Sequence, residues 1–270
     1  MGDGPSAGRF QSEAVRRILF AMARTVAASH FVGRAAELGR LHAAFDAAQA
    51  GDAIALCIAG EAGVGKTRLV TRFGEQVSHA GGQVLLGGCI DLGEGSLPYG
   101  PVIQALRGLG PRITDHGLDP AAIAELVGPG QLLLARMLPE LGPTDHDHSE
   151  ESPASLTVGS TSQARLFEAF LVLLERLAER APTALVIEDL HWADRSTLDL
   201  LTFLVRNLGS APLLVMTYRT DDVHRRHPLR PFLAELDRSG RVERLDVDRF
   251  NLLTLAHQVD RLLHGHEVWR

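Results

Sequence analysis

Lys66 is the only lysine among the 27 basic side chains of this chain; every other one is arginine. It sits in Gly60-Glu61-Ala62-Gly63-Val64-Gly65-Lys66-Thr67, a complete G-x-x-x-x-G-K-T segment. The chemistry such a segment can do is to hold a polyphosphate. Gly60, Gly63 and Gly65 open backbone conformations closed to other residues, so successive N–H groups can turn toward phosphate oxygens. Helical sequence from Lys66 to about Ser78 adds unpaired donors and partial positive charge at its N-terminus. Lys66 is expected to meet the β- and γ-phosphates as a point charge, and the Thr67 hydroxyl to ligate Mg²⁺. Arg68 completes the binding segment. The apolar run from Ala53 to Ala59 reads as a buried parallel strand. Strand, Gly-rich turn and helix together form the context in which this motif is a site rather than a chance turn.

A second group of candidates lies further along. Ala184-Leu185-Val186-Ile187 reads as a buried strand and ends in Glu188-Asp189. One carboxylate at a strand end can hold Mg²⁺ directly or through water, and its neighbour can orient or deprotonate an attacking water. By position in the motif we assign Glu188 to Mg²⁺ and Asp189 to the water; the reverse assignment stays open. Another apolar strand, Pro212 to Tyr218, ends at Arg219, which is placed to sense the γ-phosphate where parallel strand ends converge. Guanine-specific GTPases of the Ras type read their base with Asn-Lys-x-Asp. With the single lysine inside the phosphate loop no such motif can exist, so the expected nucleotide is ATP.

These residues need a scaffold, and the pattern supplies one. A helical pattern follows Phe31-Val32-Gly33-Arg34 and runs to about Gly51, with Leu38, Leu41 and Phe45 on one face. Further strands are expected at Gln83–Ile90 and Arg241–Val247. Further helices are expected at Val102–Leu109, 119–141 (interrupted at Gly128-Pro129-Gly130), Gln163–Arg180, Ser196–Leu208 with Asp194 as its cap, Pro228–Arg238 and Leu252–Leu263. Alternating strands and helices imply an α/β fold, a mainly parallel sheet with helices on both faces. Residues 144–159 are polar and acidic and read as a loop. Residues 1–29 read as a flexible or helical leader without a secretory signal.

Composition narrows the function classes. A formal net charge of −6 argues against a broad nucleic-acid-binding face. The sequence has no apolar stretch long enough to span a bilayer, so no membrane partner is expected. The two cysteines, Cys57 and Cys89, fall on expected strands without metal-ligand spacing, which suggests core residues in a reducing cytoplasm.

The assembled motifs resemble the STAND branch of AAA+ ATPases. They are especially similar to the ATPase module of large bacterial LuxR-type (MalT-like) transcriptional regulators. The matching pieces are Phe31 to Leu38, Gly60 to Leu69, Leu97-Pro98-Tyr99, Leu185 to Asp194 and Thr217-Tyr218-Arg219. The resemblance implies a P-loop NTPase three-layer sandwich over residues 30–250, with 251–270 as the start of a truncated helical lid. It implies that Val32, Gly33 and Arg34 lie against adenine and that Arg219 is a sensor arginine. We read Trp192 as packing and Asp194 as a cap. The resemblance further implies a signal-transducing switch that binds ATP with Mg²⁺ and self-associates, with slow hydrolysis. The resemblance implies an effector or DNA-binding region in the family, and none is expected within these 270 residues. Two other readings share the same loop: a small-molecule phosphotransferase, and a non-catalytic interaction module stabilised by nucleotide.

Overall fold

The computed structural model describes residues 33–52, 55–91, 97–108, 125–138, 160–209 and 212–249. The expected leader, the acidic segment 144–159 and the closing helix 252–263 lie outside the described residues, as does Val32. Five strands form one parallel sheet: β1 (Ala55–Gly60), β2 (Gln83–Gly88), β3 (Thr183–Glu188), β4 (Leu213–Arg219) and β5 (Val242–Asp246). Their order is β2-β3-β4-β1-β5. The described helices are α1 (Ala35–Gln49), α2 (Lys66–His79), α3 (Gly100–Arg107), α4 (Gln131–Ala135), α5 (Ser160–Arg180), α6 (Arg195–Asn207) and α7 (Leu229–Ser239).

The sequence explains the layering. β1 and β3 are buried along their whole length, as their unbroken apolar runs require of central strands covered on both faces. Successive side chains of a strand point to opposite faces. Leu56, Ile58, Val186 and Val215 therefore join Leu41 and Phe45 of α1 and Leu69 and Phe73 of α2 in one core. Cys57, Leu185, Ile187 and Met216 point the other way, into a core with residues of α3, α5, α6 and α7. Each fully buried large apolar side chain contributes roughly 1.5–3 kcal/mol. The result is the expected three-layer α/β sandwich of P-loop NTPase type. Burial pushes both thiols, Cys57 and Cys89, up to about 12, as suits core residues.

Every strand pairing is parallel, so all carboxyl ends emerge on one edge. Register places Gly60 beside Arg219 and Gly88 beside Glu188. Strand β2 ends at Gly88, two residues earlier than its pattern suggests, and Gly88 donates its N–H to Gln104 Oε1 at 3.0 Å. Helix α3 packs that closely because of Gly87, where a Cβ would stand 1.8 Å from the Pro101 carbonyl oxygen. A Gly87→Ala substitution is expected to lower stability by about 1–3 kcal/mol through overpacking. Gly88→Ala, whose Cβ would meet nothing within 4 Å, is expected to cost under about 1 kcal/mol. Urea midpoints of the two variants measure the contrast.

Candidate functional site

The turn from β1 to α2 is built for backbone donors. Gly63 and Gly65 take positive φ, 75° and 99°, a region that L side chains rarely adopt. Helix α2 carries no side-chain cap and no acid in its first turn, so its leading N–H groups stay open to an anion. Helix α6 differs: Asp194 accepts the Thr197 N–H at 3.0 Å, the cap its sequence suggests. Gly60 admits a close approach, since a Cβ there would lie 2.6 Å from the Val247 carbonyl oxygen.

Lys66 is 7% exposed and curls over the loop. Its Nζ donates to the Gly60 carbonyl at 2.7 Å and to the Glu61 carbonyl at 2.8 Å. Burial holds its ammonium below the usual lysine range, and the nearby Asp189 carboxylate opposes that shift.

The acidic pair stands two strands from the loop strand, with β4 between them. Glu188 ends β3 and is buried, at 5% exposure. Asp189 follows in the left-handed region, φ 58°, and its N–H donates to Thr217 Oγ1 at 3.0 Å. A hydroxyl on the intervening strand thus fixes the backbone of Asp189. Arg219 ends β4 beside Gly60 and lies between two acids, Nε 3.8 Å from Asp189 and an Nη 3.7 Å from Asp222.

Trp192 differs from the packing role expected of it. It is 37% exposed and its ring faces the Arg219 guanidinium, 5.1 Å from ring centroid to Cζ. His191 is buried beneath, its ring 4.5 Å from that of Trp192. Its Nε2 lies 3.4 Å from Asp222 and its Nδ1 3.9 Å from Asp189. Burial lowers its pKa, against the pull of Asp189 and Asp222.

The remaining sequence candidates surround the loop. Gly33 (φ 83°) and Arg34 (φ 61°) lead into α1. The Arg34 guanidinium pairs with Glu37 at 2.7 Å, donates to the Val64 carbonyl at 3.2 Å, and also reaches the Asp248 carbonyl. Arg34 thereby braces the phosphate loop from behind. Glu61 pairs with Arg249, and the Ala62 N–H donates to Asp221 at 3.3 Å. Thr67 and Arg68 are exposed on the first turn of α2.

Sequence reasoning did not single out Asp221, Asp222, Arg249 or a separate part for Thr217. Thr217 carried a signal, a hydroxyl interrupting an apolar strand. The two acids signalled only as charges shortly after Arg219, which an exposed turn also supplies.

A parallel sheet with a Gly-Lys-Thr loop on one strand and acids on another defines a P-loop NTPase fold. The chain belongs to the AAA ATPase domain family, whose profile matches residues 30–216. An uncharacterized protein of Rhizobium meliloti (strain 1021) is 24% identical over 217 residues, which are 76% of this chain and 20% of that protein. The chain thus spans about one fifth of that relative's length. Among solved structures, the chain is similar to one of Drosophila ORC bound to DNA, with TM-score 0.39, 12% identity, and coverage of 82% of this chain and 98% of that one. It is also similar to the DnaC helicase loader, with TM-score 0.34, 14% identity, and coverage of 82% and 95%. No helix among the described residues is long and apolar enough to cross a membrane.

The buried histidine yields a stability test. Above its usual value of about 6.5, His191 is neutral folded and unfolded and contributes no pH dependence. As pH falls below that, the unfolded chain takes up a proton that the buried ring resists, so stability is lost down to the folded pKa. The melting temperature of the unaltered protein is expected to fall between pH 6.5 and 5, and His191→Gln to flatten that fall.

Proposed function

We propose that residues 30–250 form an ATP-binding regulatory switch of the STAND type. The observation that carries this reading is the state of the two site cations. Lys66, at the start of the helix that follows β1, reaches back to Gly60, whose register partner on the adjacent strand is Arg219, and each cation is held by the protein's own oxygens. A triphosphate offers both a stronger set of acceptors, so its arrival rearranges contacts on three strands.

The roles follow from position. Backbone donors of residues 60–67 cradle the phosphates, with Lys66 on the β- and γ-phosphates. The family resemblance implies that Val32, Gly33 and Arg34 border the base. The donors suited to a magnesium ion are hard oxygens, the Thr67 hydroxyl and the buried Glu188 carboxylate. Among the described residues no group of three or more His, Cys, Asp or Glu side chains is built to hold a metal alone. A magnesium ion bound with nucleotide takes phosphate oxygens for part of its shell. Such an ion would neutralise charge on the phosphates. Asp189, held by the Thr217 hydroxyl, orients the water or takes its proton. Arg219 reports the terminal phosphate. Binding and release of nucleotide would favour different states of self-association, which makes the chain a switch more than a metabolic enzyme.

Two variants test the reading. Lys66→Ala is expected to weaken ATP binding at least about 100-fold, the equivalent of roughly 3 kcal/mol. Asp189→Asn is expected to keep ATP affinity and to lower phosphate release by roughly 10²–10⁴. Calorimetric titration and a phosphate assay measure both. Undiminished ATP affinity in the Lys66 variant would refute the assignment.

A further inference from the structure

Asp189, His191, Asp222 and Arg219 close a ring of side chains. Going round it, the gaps are 3.9 Å from Asp189 to His191, 3.4 Å from His191 to Asp222, 3.7 Å from Asp222 to Arg219 and 3.8 Å from Arg219 back to Asp189. Each exceeds the usual hydrogen-bond distance, so charge attraction rather than directed bonding holds Arg219 to the two carboxylates, with the neutral His191 ring packed beside them. Partly exposed contacts of that kind are weak and exchange readily. Trp192 covers both Arg219 and His191.

The turn that carries Asp222 is fastened to the phosphate loop. Thr220 donates its N–H to the Gly60 carbonyl at 3.2 Å, and Asp221 accepts the Ala62 N–H at 3.3 Å. These contacts hold the turn that carries Asp222 beside the loop. Arg219, in register with Gly60, stands between two sets of acceptors: the ring carboxylates and any phosphate the loop holds.

We propose that Asp222 sets the preference of this site for a nucleoside triphosphate over a diphosphate, by competing with the terminal phosphate for Arg219. The inference rests on the ATP-binding reading above and deepens it. A diphosphate ends short of Arg219 and leaves the ring closed. A triphosphate draws Arg219 off Asp222 and off the face of Trp192. The buried His191, with 1% side-chain exposure, then keeps Asp189 and Asp222 apart and in place. Asp222 thus makes the extra phosphate displace an existing contact, and the triphosphate preference is smaller than it would be with a free arginine.

The chain has two tryptophans, Trp192 and Trp269, so Trp269→Phe leaves Trp192 as sole indole reporter. In that background, a non-hydrolysable ATP analogue and ADP, each with Mg²⁺, are titrated into the full chain. The analogue is expected to change Trp192 emission and ADP to leave it unchanged. Asp222→Asn, at a side chain 44% exposed and so tolerant of the swap, is expected to raise the triphosphate-over-diphosphate affinity ratio about two- to fivefold. Combined with Arg219→Gln, the same change is expected to leave the ratio unaltered.

An unchanged ratio in Asp222→Asn would overturn the proposal. So would an equal rise in the Arg219→Gln background, which would mark a general charge effect, or equal emission changes with both nucleotides. These failures leave Lys66-dependent binding standing. Absence of any nucleotide binding by the unaltered protein would overturn the ATP-binding reading, and this inference with it.

Discussion

The carbonyl and Cα of Gly60 are the point on which the other contacts converge. The carbonyl accepts from Lys66 Nζ at 2.7 Å and from the Thr220 N–H at 3.2 Å. The Cα lies against the Val247 carbonyl, too close for any side chain. Its register partner is Arg219. One residue without a Cβ thus joins the loop, the strand that carries the arginine and the exit from β5. A larger residue there would push the exit of β5 away from β1. Glycine is demanded at this position by close approach, whereas Gly63 and Gly65 are demanded by positive φ.

Electrostatic self-compensation is the second theme. A buried ammonium is costly unless oxygens surround it, and Lys66 finds two carbonyls. Arg219 finds two carboxylates and an aromatic face. The Arg219 contacts are long and partly exposed, and so weak enough to be exchanged, whereas those of Lys66 are short and charge-assisted. The start of α2 carries no side-chain cap, while α6 receives its cap from Asp194.

Much of the architecture was legible in the sequence because periodicity and punctuation are local. The runs at β1, β3 and β4 were apolar enough to read as central strands, and Gly-Lys-Thr fixed the start of α2 to the residue. Strand order was not legible. That β4 inserts between β1 and β3 follows from pairing between segments more than 150 residues apart in the case of β1 and β4, which no local pattern encodes. The exposure of Trp192 was missed for a related reason. An indole after an acidic strand reads as packing, yet Arg219, distant in sequence, gives its face a partner in the open. Asp222 was invisible as a site residue because a turn acid normally meets only water. Its place beside Arg219 and His191 depends on the Asp221 contact with the loop.

The solitary lysine carries a practical corollary. Among all side chains of the protein, Lys66 alone offers a primary amine, and the loop's own carbonyls shield it. An amine-directed acylating reagent therefore meets one side-chain target besides the α-amino terminus. The yield of the Lys66 adduct, read on the peptide that carries it, becomes a built-in gauge of how often the loop lets go of its ammonium.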